Sequence, residues 1–345
     1  MKKKHLALGI GGALGAMVAW KLATRPRTVY FEDSLEILHH SDHSKFVEID
    51  GVDVHYQEFG AEHDPVLLLV HGYTASTYVW HAVAPLLAEK GFRVIAIDLL
   101  GFGYSGKPKY FDYSIASQAR MLQRFMNRLG IGKATIVGSS FGGAVTNWFA
   151  LDNPERVEKL VLVGAVINDE PMESVLMRLV RQPGIGETLS PFLIDSRAFL
   201  KFRMQGTLHP TSHHLITEDR IDSVIHPLQA ADAHHSLLTT ARNWNAGRIE
   251  RDAHLLTHPT LLIWGEEDTV IPLKNGEILY DKMLNSRLVV LKDCGHLPHE
   301  ERADLFVELV SEFCGNSAGR LEERSEEGLE IKQVSQANKE PEPAS

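Results

Sequence analysis

Gly138-Ser139-Ser140-Phe141-Gly142 is the stretch of this chain best suited to chemistry. A β-branched run at 135–137 leads into it, and an apolar stretch with helical spacing follows. That order reads as strand, sharp turn, helix, and it puts Ser140 at the tip of a nucleophile elbow. Gly138 and Gly142 fit such a turn because it presses backbone against backbone. The N–H of Phe141 is then aimed at the oxyanion of an attacked carbonyl, with the positive end of a helix dipole behind it. The pattern alone recurs by chance on the order of once in ten chains of this length. The assignment therefore depends on partners.

A serine nucleophile needs a base to take its proton and a carboxylate to orient that base. Asp268 follows the apolar run 260–264, and His296 follows the run 287–291. Both sit at C-terminal strand ends, the same sheet edge as the elbow. The chain order Ser, Asp, His is the one that accompanies Gly-x-Ser-x-Gly. Glu266 and Glu267 compete with Asp268 and read as solvated loop charges. Asp169, after the preceding strand, is the alternative acid. His299 competes with His296 and reads as the start of the last helix. His71 reads as a stabiliser of its own turn. His209, His213 and His214 read as solvated surface rather than a metal site. The two cysteines, Cys294 and Cys314, read as buried free thiols, and no Cys/His spacing suits zinc.

The elements that must position these groups follow from hydrophobic pattern. Residues 45–50 and 52–59 alternate around Asp50-Gly51, a hairpin signal. The continuous apolar run at 66–70 suits a parallel strand covered on both faces, and further strands read at 93–97, 134–137 and 157–163. Helical patterns separate them. From about 166 to 255 the alternation stops, and a helical, irregular stretch intervenes. Strands resume at 260–264 and 287–291, with helices near 273–283 and 303–313. The expected fold is α/β: a mostly parallel, doubly wound sheet, with a helical cap inserted after the sixth strand over the strand ends.

The chain ends differ from this core. Lys2, Lys3 and Lys4 precede a mainly apolar run at 6–23, interrupted by Lys21. As a helix it would reach ~27 Å, just short of a ~30 Å hydrocarbon core. Gly11 and Gly15 form a Gly-x-x-x-Gly pair. The favoured reading of 1–25 is an uncleaved membrane helix, with membrane contact through residues 5–23. A cleaved signal peptide, with a secreted or periplasmic product, is the alternative. Basic residues flank both sides, so orientation is open. Residues 26–44 read as a connector, 45–314 as the main domain, and 315–345 as a disordered polar tail without aromatics. A formal charge of −10 without a basic stripe excludes a nucleic-acid partner.

From about residue 45 to 314 the chain resembles the α/β-hydrolase superfamily. The resemblance lies in Val-His-Gly-Tyr (70–73), Asp-Leu-Leu-Gly-Phe-Gly-Tyr-Ser (98–105), Gly-Ser-Ser-Phe-Gly-Gly (138–143), Trp-Gly-Glu-Glu-Asp (264–268) and Gly-His (295–296). It implies Ser140 as nucleophile, Asp268 as acid and His296 as base, with an oxyanion hole from the backbone N–H groups of Tyr73 and Phe141. It implies no metal and no organic cofactor. The serine separates this chain from haloalkane dehalogenases and soluble epoxide hydrolases, which use an aspartate. The implied reaction is hydrolysis of carboxylic esters. The arrangement is similar to that of membrane-anchored monoacylglycerol lipases, which implies a lipid ester. Two other readings stand beside it: a carbon–carbon bond hydrolase of the meta-cleavage type, and a non-catalytic hydrolase-like binding protein.

Overall fold

Asp50 and Gly51 both take positive φ, 53° and 77°, the geometry of a tight hairpin turn. They join β1 (Ser44–Ile49) to β2 (Val52–Phe59) in antiparallel register, with Ile49 opposite Val52. The computed structural model that shows this describes residues 20, 24, 26, 28–315 and 329–333. The membrane or signal segment expected at 1–25 thus falls outside the described residues, apart from Trp20 and Thr24. Among the described residues, no helix is long and apolar enough to cross a membrane.

The continuous apolar runs become the sheet's centre. β3 (Val66–Val70) lies between β4 (Arg93–Ile97) and β5 (Ala134–Ser139) and runs parallel to both. β6 (Val157–Val163), β7 (Thr260–Gly265) and β8 (Ser286–Leu291) extend it in parallel. The full order is β1-β2-β4-β3-β5-β6-β7-β8-β9. Alternate residues of one strand serve opposite cores. Leu68 and Val70 pack with Phe125 and Phe149, whereas Leu67 and Leu69 pack with Leu87 and Phe306. Complete burial of each such leucine is worth roughly 1.5–3 kcal/mol. The helices of the first half are α1 (Ala84–Glu89), α2 (Ile115–Arg128) and α3 (Phe141–Asp152).

Between β6 and β7 the irregular stretch resolves into short helices: α4 (Val175–Val180), α5 (Ile185–Leu193), α6 (Arg197–Thr207), α7 (Glu218–Ile225), α8 (Ala231–Arg242) and α9 (Gly247–Asp252). Side-chain caps set several starts. Ser174, Ser196 and Thr217 accept from the N–H of Met177, Phe199 and Arg220, each in the first turn of its helix. The last helices are α10 (Leu273–Lys282), α11 (Pro298–Glu301) and α12 (Ala303–Gly315).

One expectation for the polar tail needs correction. Leu329–Gln333 form β9, antiparallel to β8, with Leu329 opposite Leu291 and Gln333 opposite Arg287. The physical reason is the edge of β8. A terminal strand presents a row of unpaired N–H and C=O groups, and a short returning segment satisfies them. Composition alone does not reveal such a docking site.

Candidate active site

β5 ends at Ser139 and α3 begins at Phe141, which leaves Ser140 alone at the turn with φ 52° and ψ −118°. A non-glycine residue held in such a region costs on the order of 1–3 kcal/mol. The neighbours over-determine it. Ser140 N–H donates to Val163 O at 2.9 Å, and Val166 N–H donates to Ser140 O at 3.0 Å. β6 and the segment after it therefore clamp the serine backbone from both sides. The close approach behind it is equally tight. A Cβ on Gly142 would stand 2.2 Å from Val70 O and 2.4 Å from His71 O. Both obstacles are main chain and cannot swing away. Gly142→Ala is expected to destabilise the fold by about 2–4 kcal/mol, read as a drop in the urea midpoint. An unchanged midpoint would mean that β3 and α3 are not pressed together at the elbow.

The Gly72-Tyr73 turn abuts the serine, since a Cβ on Gly72 would lie 3.1 Å from Ser140 Cβ. Tyr73 lines the cavity beside Ser140, and its hydroxyl donates to Leu237 O of α8 at 2.8 Å. Phe141 is the first residue of α3, so its N–H has no intrahelical acceptor. Its ring is fully buried against Trp244, 5.2 Å between centroids. His71 holds the turn: Nδ1 bonds to Gly72 O at 2.8 Å, and Nε2 accepts from Leu99 N–H at 3.1 Å. Burial holds its pKa below the ordinary value, which keeps Nε2 free to accept. Nearby, Asp98 accepts from the N–H groups of Thr77 and Tyr104 and pairs with His55 at 2.7 Å. Burial alone would raise the Asp98 pKa; His55, His71 and the Tyr104 N–H together outweigh it, and the pKa lies low. This buried pair is a structural anchor for the loops after β3 and β4.

Asp268 and His296 meet. His296 Nδ1 lies 2.8 Å from Asp268 Oδ2, and both residues are buried. The other oxygen, Oδ1, accepts from Val270 and Ile271 N–H at 2.9 and 2.8 Å. A carboxylate can only accept, so Nδ1 is the protonated ring nitrogen and Nε2 keeps a lone pair. His296 and Ser140 line the same cavity. The rival acids lie elsewhere. Asp169 Oδ1 accepts from Ala246 N–H at 2.7 Å and so braces the insertion. Glu266 and Glu267 are exposed, and Glu267 accepts from Cys294 N–H.

Glu301 is a positioning group that pattern reading missed. Its carboxylate accepts from the N–H groups of Gly295, Leu297 and His209 at 3.1, 3.1 and 2.8 Å. It cradles the loop that presents His296 and ties that loop to the insertion. His299 is fully buried in α11 and also lines the cavity. Burial, and then His296 beside it, hold its pKa far down, so it is neutral. His213 and His214 bond to nearby carbonyls. Of ligand-type clusters among the described residues, His209, Glu267 and Asp293 bring their ligand atoms within 4.8 Å of one another. That trio lies outside the cavity lining.

The cavity has a volume of about 510 Å³. The insertion supplies most of its wall, including Met177, Leu193, Phe199 and Leu238. It is a largely apolar chamber whose wall includes a serine hydroxyl and an imidazole. Such a site can bind an acyl or other apolar group and expose its carbonyl to Ser140.

Comparison with known proteins gives a consistent result. The family model described as alpha/beta hydrolase fold matches residues 65–303. An uncharacterised hydrolase, YugF, of Bacillus subtilis is 29% identical over 77% of this chain and 95% of its own. A 2-hydroxy-6-oxononadienedioate/2-hydroxy-6-oxononatrienedioate hydrolase of Burkholderia vietnamiensis is 31% identical over 78% of this chain and 95% of its own. Among solved structures, a bacterial membrane phospholipase A superposes with a TM-score of 0.63, covering 92% of this chain and 99% of its own at 23% identity. That last likeness is one of fold.

Proposed function

We propose, for a chain that belongs to the alpha/beta hydrolase family, that it hydrolyses carboxylic esters through an acyl-enzyme on Ser140. His296 Nε2 takes the serine proton as Oγ attacks the ester carbonyl. The N–H groups of Tyr73 and Phe141 hold the oxyanion. The protonated imidazole, steadied by Asp268, then gives its proton to the departing alcohol. Water cleaves the acyl-enzyme by the same steps. The observation that carries this reading is that His296, paired with Asp268, lines the same apolar cavity as the strained Ser140. The cavity lining supports lipid esters of the monoacylglycerol kind. We further propose that residues 5–23 hold the enzyme at a membrane, where such esters partition.

A panel of acyl esters of rising chain length, run on the full chain and on a variant lacking residues 1–25, tests both parts. The expected result is that kcat/KM rises with chain length until the cavity is filled. The shortened enzyme should be soluble and retain activity on short esters. A full-length chain, N-terminus intact, found in the soluble fraction would remove the membrane part.

A second reading has one specific support. The Burkholderia relative, similar over nearly its whole length, is named a hydrolase of a 2-hydroxy-6-oxononadienedioate, and this supports the carbon–carbon bond hydrolase reading. Consumption of a meta-cleavage product faster than any ester in the panel would favour that reading. A non-catalytic binding role predicts no labelling of Ser140 by a fluorophosphonate probe.

A further inference from the structure

The described cavity lining contains two guanidinium groups, Arg203 and Arg220, and no carboxylate. They are in different situations. Arg220 is bidentate to Glu300, one contact measuring 3.0 Å, so its charge is compensated within the protein. Arg203 makes no side-chain hydrogen bond and no ion pair among the described residues. The titratable group beside it is the phenol of Tyr73, which stays neutral because burial raises its pKa.

Its place on α6 is equally specific. Phe199, Leu200, Arg203, Met204 and Thr207 all line the cavity, at the spacing of one helix face. Arg203 is the charged residue on an otherwise mainly apolar stripe. The face that would be cheapest as pure hydrocarbon carries a guanidinium instead. The end of α6 is fastened to both loops that present the acid and the base. His296 N–H donates to Thr207 O at 2.9 Å, and Thr269 Oγ1 donates to Gly206 O at 2.6 Å. Arg203 lies one turn before that anchor, so its distance from the reacting serine is set by the same contacts that place His296.

We propose that Arg203 is a specificity-determining residue that binds an anionic group, a carboxylate or a phosphate, carried by the ester substrate. The planar fork of a guanidinium matches either oxyanion with two parallel hydrogen bonds. Arg203 is exposed on the cavity wall with no carboxylate beside it, so its donors are open to an arriving anion. The substrate is then an amphiphile: an apolar part in the chamber, and an anion a short span from the scissile carbonyl. This deepens the ester-hydrolase reading above and rests on it.

The test uses two matched pairs of esters with wild type, Arg203→Met and Arg203→Lys. One pair places the anion on the acyl side: p-nitrophenyl octanoate against the p-nitrophenyl monoester of octanedioic acid. The other places it on the alcohol side: 1-octanoylglycerol against 1-octanoylglycerol 3-phosphate. In one pair, Arg203→Met is expected to lower kcat/KM for the charged member by about 10–100-fold, mainly through KM. The loss on its neutral partner should be at least about tenfold smaller, and Arg203→Lys should recover part of the difference. The responding pair identifies which side of the ester carries the anion. Melting temperatures of the variants within about 2 °C of wild type exclude a folding effect. If wild type hydrolyses esters but Arg203→Met affects charged and neutral members alike in both pairs, the anion site is wrong and the ester reading stands. If wild type hydrolyses none of the esters, both fall.

Discussion

Ser140→Ala is expected to lower kcat on every accepted ester by about 10⁴-fold or more, leaving only what binding and the oxyanion donors supply. Folding should be intact, because the elbow is held through main-chain bonds to Val163 and Val166 rather than through the hydroxyl. Alanine occupies the same positive φ at a similar cost. Fluorophosphonate labelling should vanish with the activity. Ser139 is the informative neighbour. It ends β5, is buried and also touches the cavity, yet it lies on the strand side of the turn. Ser139→Ala should be far milder. Were Ser139→Ala the inactive variant and Ser140→Ala active, the register of the elbow would be wrong.

Asp268→Asn should cost about 10²–10⁴-fold in kcat, by analogy with the same change in the serine-protease triad. The geometry gives the reason. Oδ1 accepts two backbone N–H groups, from Val270 and Ile271, so an amide at this position must place its oxygen there. Its NH₂ then faces His296 Nδ1, where the carboxylate oxygen had accepted. The imidazole must present a lone pair to that NH₂ and turn a proton toward Ser140. The serine loses its base, and the imidazolium loses its stabilising charge. Glu266→Gln and Glu267→Gln should change kcat by less than about tenfold, roughly 1.4 kcal/mol in barrier. If Asp169→Asn were instead the costly substitution, the acid would belong to the end of β6.

Ser140, Asp268 and His296 were legible as candidates because each sits within a short local pattern. A nucleophile elbow is encoded within about ten residues by a β-branched run, glycines at fixed offsets and an apolar helix pattern. The strand ends before Asp268 and His296 are encoded in the same way. The hairpin at Asp50-Gly51 follows from local backbone sterics, since both residues must take positive φ. Parallel strand order is harder to see, but continuous apolar runs separated by helices leave few alternatives. The helical character of the insertion was also legible. Which face of each helix meets the cavity was not.

Contacts across the insertion show why. Arg220 and Glu300 are 80 residues apart, and His209 and Glu301 are 92 apart. A charged residue on an amphipathic helix reads as solvated until its neighbours are known, so Arg203 and Arg220 look alike in one dimension. In three, Arg220 meets a buried carboxylate and Arg203 meets a cavity without one. No local pattern marks Glu301, yet the chain brings three N–H donors to it. β9 was hidden for a related reason, because its partner is the free edge of β8 and not anything in its own neighbourhood. The sequence by itself determined the groups able to do chemistry and the strands that carry them, since local sterics and hydrophobic period act over a few residues. The tertiary structure alone decided the cavity's shape and charge, because those arise where distant segments exclude water together.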